Sequence, residues 1–158
     1  MILDSTCGYK IMWRSAKNPY RLYCKIPDVF IDIRKEVKPT MLADLKHLPF
    51  KNNIFELIFF DPPHTQLGKN SIMLNRYGTL TTSQFNLLVI YANSEFDRCL
   101  KENGKVIVKL CDRNNRINML NRSFKNFRLI KTQLSLESKD KYYKTYWFEY
   151  KKMLREVG

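Results

Sequence analysis

A chain of 158 residues, 44% apolar and 27% charged, has a globular rather than a disordered composition and the length for one core, which leaves little for a second module. Its net charge of +13 is uneven: residues 1–100 hold 13 Lys/Arg against 9 Asp/Glu, and residues 101–158 hold 15 against 6, an excess that points to a polyanion such as nucleic acid. Cys7, Cys24, Cys99 and Cys111 form no CxxC pair, only His47 and His64 could supply imidazole, no leader pattern opens the chain and no run reaches the ~18 apolar residues of a membrane span; zinc finger, disulfide scaffold and membrane protein are excluded, and a reducing cytoplasm is the expected setting.

Short apolar runs alternate with helical patterns, which predicts an α/β fold with a mostly parallel central sheet and helices on both faces. Ile2-Leu3 is a first strand ending at Asp4, and Ser5-Thr6-Cys7-Gly8 is a turn. Residues 9–17 predict a short helix, stopped by Asn18-Pro19. Residues 29–31 form a second strand ending at Asp32, and 40–43 a third ending at Asp44. Residues 54–60, apolar on both faces, suit the centre of a parallel sheet and end at Asp61. A long polar loop over 65–82 follows, and long loops in compact domains are often functional. Phe85, Leu88, Ala92, Phe96, Cys99 and Leu100 then recur at helical spacing over 83–101, with Asn103-Gly104 expected to close that helix. A fifth strand spans 105–110, a helix 113–123, and two strands over 127–136 and 143–151 form a C-terminal antiparallel hairpin around the charged turn Ser138-Lys139-Asp140-Lys141.

Four successive strands thus end in aspartate. In an open α/β sheet ligands bind outside the carboxyl ends of the strands, so the four carboxylates are expected on one ligand rim, although acids also favour turns and caps for purely local reasons. The first turn has a glycine for a tight bend but lacks the G-x-G-x-x-G of dinucleotide binders. An acid at the position of Asp32 can accept from ribose hydroxyls or cap a helix. Asp44-Leu45 can take an amino group and cover an aromatic ring, or simply stabilise a turn.

The fourth acid opens Asp61-Pro62-Pro63-His64. This order (an Asp-bearing loop with Gly8, an acid after the second strand, an Asp after the third, and DPP plus a ring after the fourth) resembles the class I S-adenosylmethionine (SAM) dependent methyltransferases. The last motif is similar to their (D/N)PP(Y/F/W) signature for methylating amino nitrogens, with His64 in the place of the aromatic residue. The resemblance implies a Rossmann-like fold in one domain over 1–158 and SAM as cofactor without a metal. Asp4, Thr6, Cys7 and Gly8 would line the methionine part, Asp32 would hold the ribose, and Asp44 and Leu45 would contact adenine. It further implies that Asp61 and the Pro62 carbonyl, stiffened by Pro63, hold the target amino group while His64 stacks on the base. Small enzymes of this type from viruses and mobile elements modify DNA adenine, which makes DNA the expected partner and N6 of a flipped adenine the expected target. With no target-recognition domain, the 65–82 loop, through Lys69, Asn70, Arg76 and Tyr77, and the basic C-terminal half are left to read the substrate. A homodimer would enlarge that surface and suit a palindromic site. An RNA base, a protein glutamine amide, or a non-catalytic nucleic-acid-binding role remain alternatives.

Overall fold

The computed structural model describes residues 1–21, 24–63, 74, 78–136 and 142–154. Seven strands form one sheet: β1 (Ile2–Asp4), β2 (Val29–Asp32), β3 (Met41–Leu42), β4 (Phe55–Phe60), β5 (Leu100–Cys111), β6 (Phe127–Leu134) and β7 (Thr145–Lys152), in the order β3-β2-β1-β4-β5-β7-β6. The pairs from β3 through β5 are parallel, and β7 lies antiparallel to both β5 and β6. The apolar run of β4 is central, between β1 and β5, and Phe55, Ile58, Phe59 and Phe60 are buried.

Helix α2 (Thr82–Cys99) crosses from β4 to β5 and α3 (Arg116–Ser123) from β5 to β6. The start of α2 is written in T-x-x-Q: the Thr81 hydroxyl accepts from Gln84 N at 3.2 Å, and the Gln84 amide oxygen accepts from Thr81 N at 2.9 Å. Phe85, Val89, Ala92, Phe96 and Cys99, one stripe of α2, pack on Ile58, Phe60, Val106 and Val108. The opposite face carries a smaller cluster of Met12, Trp13, Phe59, Ile107 and Trp147.

Several sequence expectations change in extent. The first helix is one turn, α1 (Ile11–Arg14), not 9–17, because Lys10 enters it in the left-handed region (φ 58) without a side-chain cap and only Met12 and Trp13 are buried. The third strand keeps only Met41–Leu42, since Asp44 turns the chain into a 3₁₀ turn (Leu45–His47) by accepting from Lys46 N at 2.9 Å. Asn103-Gly104 does not close α2: the helix stops at Cys99, and β5 begins at Leu100 and continues through this pair to Cys111. There Asn103 takes φ 62 and the register against β4 shifts between Phe55 and Leu57. A Cβ on Gly104 would lie 2.9 Å from the backbone carbonyl oxygen of Lys101, so a side chain cannot enter this bulge without moving the backbone. Helix α3 starts at Arg116 rather than 113, after Asn114 and Asn115 in left-handed conformations. The hairpin strands are Phe127–Leu134 and Thr145–Lys152, and the expected turn at 138–141 lies outside the described residues.

Among the described residues no helix is long and apolar enough to cross a membrane, and no group of three or more His, Cys, Asp or Glu is placed to hold a metal ion. All four cysteines are free thiols.

Candidate active site

A cavity of about 410 Å³ opens at the carboxyl ends of β1, β2, β3 and β4. Asp4, Thr6, Cys7, Gly8, Asp32, Asp44, Leu45, Asp61 and Pro63 all line it, so nine of the expected site residues are brought together. Pro62 is buried behind the wall. His64, Lys69, Asn70, Arg76 and Tyr77 lie outside the described residues.

The rim is built by the parallel register. Ile31↔Met41 and Leu3↔Val29 set β1, β2 and β3 side by side, and Asp4↔Phe59 brings the end of β4 alongside. The first turn then locks across the sheet: Ser5 N and Ser5 Oγ donate to Phe59 O at 2.9 and 2.8 Å, and Cys7 N donates to Ile31 O at 3.0 Å. Gly8 takes φ +47, which a side chain tolerates poorly. Thr6 joins this turn to the proline motif, its hydroxyl accepting from Asp61 N at 2.8 Å.

Asp4 is 1% exposed and accepts from Trp13 Nε1 at 2.7 Å and Thr6 N at 3.2 Å. Burial pushes its carboxyl up to about 7; the bonds from Trp13 and Thr6 pull it down, and the nearby Asp61 and Asp32 charges push it up again. The folded protein therefore holds a proton that the unfolded chain releases near 3.8. The stability tied to this proton is complete below that value and is lost as pH rises through about 7. Wild type is accordingly expected to lose a few kcal/mol relative to Asp4→Asn between pH 5 and pH 8 in urea denaturation. Parallel pH profiles for the two proteins would refute this. Burial, with the Asp4 and Asp32 charges, also pushes the Cys7 thiol up to about 12, so Cys7 lines the cavity as a neutral group.

Asp32 shows what the sequence reading missed. Its Oδ1 accepts from Arg34 N and Nε at 3.0 and 3.1 Å, and its Oδ2 accepts from Gly8 N at 3.0 Å and Arg34 Nη2 at 3.3 Å. Four donors match the acceptor capacity of a carboxylate, so a ribose diol would compete with the Arg34 side chain. The signal was present as an Asp-x-Arg step after β2. Ile33, between them, is 69% exposed and lines the cavity, an apolar surface offered at a polar rim.

The second missed residue is Arg116, 0% exposed. Its Nη1 donates to Pro63 O at 2.7 Å and its Nη2 to Leu80 O at 2.6 Å, and the guanidinium lies 4.5 Å from the Phe85 ring centroid. One buried cation thus ties the proline motif to the residue before the α2 cap. No local pattern announces a contact across 53 residues.

Chemically, the site joins a carboxylate-rimmed cavity with apolar patches to a proline-stiffened turn that presents a further carboxylate. No protein-family model matches the chain, and no curated protein matches it in sequence. Solved structures do. TrmN from Thermus thermophilus is 17% identical with a TM-score of 0.64, over 96% of this chain and 43% of that one, so the chain spans less than half of TrmN. A SAM-dependent methyltransferase from Methanosarcina mazei is 11% identical with a TM-score of 0.56, over 98% and 92% of the two chains. The N-methyltransferase NodS from Bradyrhizobium japonicum WM9 is 10% identical with a TM-score of 0.56, over 97% and 85%. These likenesses, with the strand order and the lone antiparallel β7, give the chain the Rossmann-like fold of the class I SAM-dependent methyltransferases.

Proposed function

We propose that the protein transfers a methyl group from SAM to an exocyclic amino nitrogen of a DNA base, with N6 of a flipped adenine as the target. The observation that carries this reading is the Asp61-Pro62-Pro63 turn, fastened by Asp61 N to Thr6 on the wall of the four-aspartate cavity.

The residues present suit the cofactor. Buried carboxyl groups at Asp4 and Asp32 fit a ligand carrying an ammonium and a sulfonium, whose charge would favour the ionised form of Asp4. Asp32 would hold the ribose hydroxyls in the places now filled by Arg34 Nε and Nη2, leaving the guanidinium to turn toward the methionine carboxylate. Ile33 and Leu45 would cover the two faces of the adenine, and Asp44 would accept from its amino group. The cofactor supplies an activated methyl group, so no metal is required.

The protein's own work is at the acceptor. A base amino nitrogen is a poor nucleophile because its lone pair is delocalised into the ring. The Asp61 carboxylate and the Pro62 carbonyl, both acceptors, would bind its two hydrogens and favour the pyramidal form whose lone pair points at the methyl carbon. Methyl transfer would place positive charge on the nitrogen, and the Asp61 carboxylate would stabilise it until one N–H proton is lost to solvent. The two prolines fix that carbonyl in advance. The net charge of +13 supports a polyanionic substrate.

The test is incubation with labelled SAM and unmodified DNA followed by nucleoside mass spectrometry. N6-methyladenine is the expected product. Label confined to RNA or protein acceptors offered in parallel would defeat the DNA assignment, and 4-methylcytosine would defeat the choice of base.

A further inference from the structure

The half of the sheet built by β5, β7 and β6 presents two different faces. Val106, Val108, Leu110, Phe148 and Tyr150 pack into the main core. Their alternates face the other way, and pairing across the strands sets Lys105 beside Lys151, Lys109 beside Trp147, Arg128 beside Lys151, Lys131 beside Glu149 and Gln133 beside Trp147. This second face therefore carries Lys105, Lys109, Lys151, Arg128 and Lys131. Its carboxylate among the described residues, Glu149, is engaged by Lys105 at 2.6 Å. Arg128 and Lys131 are exposed on the edge strand. The centre of the face, Ile107 and Trp147, is buried under Met12 and Trp13, with Lys109 over the Trp147 ring, and the other cations stand around that covered patch. Such a face suits a row of phosphates.

Its position relative to the cavity gives it meaning. Leu57 and Phe59 of β4 belong to the cluster that contains Trp147, whereas Phe55, Ile58 and Phe60 belong to the main core. Asp61 directly follows Phe60, at the carboxyl end of β4. Phe60 pairs with Val108, Val108 with Phe148, and Phe148 with Thr132, and the row after that on β5, β7 and β6 is Lys109, Trp147, Gln133. Three interstrand spacings, about 14 Å, separate β4 from the β6 edge, where Lys131 stands in the row of Phe59 and Arg128 in the row of Leu57.

We propose that this face is the DNA platform of the enzyme: the backbone flanking the flipped base lies along the β5–β7–β6 surface, its phosphates held by Lys109, Lys131 and Arg128, while the base enters the cavity at Asp61. The inference rests on the reading of DNA as substrate. It differs from reading by the 65–82 loop because it assigns sequence-independent grip to the sheet itself.

The experiment measures binding of the full chain to a fluorescent adenine-containing DNA duplex across a salt series, with no turnover required. Combined Arg128→Glu and Lys131→Glu is expected to weaken binding at least tenfold near 0.1 M salt and to flatten the log K against log salt slope by about 2, one phosphate per cation lost. Lys131→Arg keeps the wild-type slope. Lys51→Glu, the same reversal on the exposed loop before β4, leaves affinity within about twofold. SAM affinity by calorimetry is unchanged in the double variant and confirms the fold. An unchanged slope in the double variant, or an equal loss in Lys51→Glu, overturns the proposal, as does wild-type binding to RNA but not to DNA of the same sequence. Platform and reaction fail separately: DNA binding through this face without methyl transfer removes only the proposed function, and methyl transfer with an unaltered slope removes only the platform.

Discussion

Asp61→Ala is expected to lower kcat for DNA methylation about a thousandfold while SAM affinity stays within about twofold. The side chain removed is one of two acceptors assigned to the target amino group, and the carboxylate is the charged one. Its bonds strengthen as the nitrogen becomes cationic, so the loss falls on the transition state rather than on cofactor binding. The bond from Asp61 to Thr6 uses the backbone N–H and so survives the substitution. Asp61→Asn retains a neutral acceptor and should fall between wild type and alanine. Single-turnover rates, with SAM affinity measured separately, check the expectation. Wild-type turnover in Asp61→Ala would remove Asp61 from the chemistry and with it the reading of the motif.

The strand ends were legible because β4 is apolar on both faces and stops at an acid, and β1 and β2 each end on one in the structure as well. Parallel pairing then aligns those ends without further instruction. Element lengths were less legible, since long-range contacts set them. Trp13 leaves a one-turn helix to reach Asp4, and Asn103 carries a left-handed bulge inside a strand where a Asn-Gly step reads locally as a helix stop. At the site, residue type announced the carboxylates but not their partners. Asp32 looked open for a ribose, yet Arg34 and Gly8 already donate to both oxygens. Arg116 read as one more cation in a basic C-terminal half, and only the fold shows it fully buried. Periodicity reports which face a residue occupies. It does not report which carbonyls wait there.

Arg116→Met is expected to leave a folded protein that binds SAM within about threefold of wild type and turns over 10- to 100-fold more slowly. The guanidinium is desolvated with no carboxylate bonded to it among the described residues, and burial lowers its affinity for its proton. Replacing it with an apolar chain of similar length relieves that desolvation and keeps the packing on Phe85. Against this, Pro63 O and Leu80 O lose their donor, at about 1–3 kcal/mol each if they stay buried. The two effects oppose one another, so global stability changes little, whereas the geometry does not survive. The Pro63 carbonyl held by Arg116 is one peptide beyond the Pro62 carbonyl assigned to the amino group, and a displacement near 1 Å at a reacting centre can cost about a hundredfold. Arg116→Lys brings a single point charge that cannot span both carbonyls in the fork geometry, so it should restore only part of the rate. A purely structural arginine would instead lower the melting temperature and scale the active fraction, leaving kcat per folded molecule unchanged. Rates normalised to SAM-binding sites separate these outcomes, and an unaltered kcat in folded Arg116→Met would show that the proline turn holds its shape without the clamp.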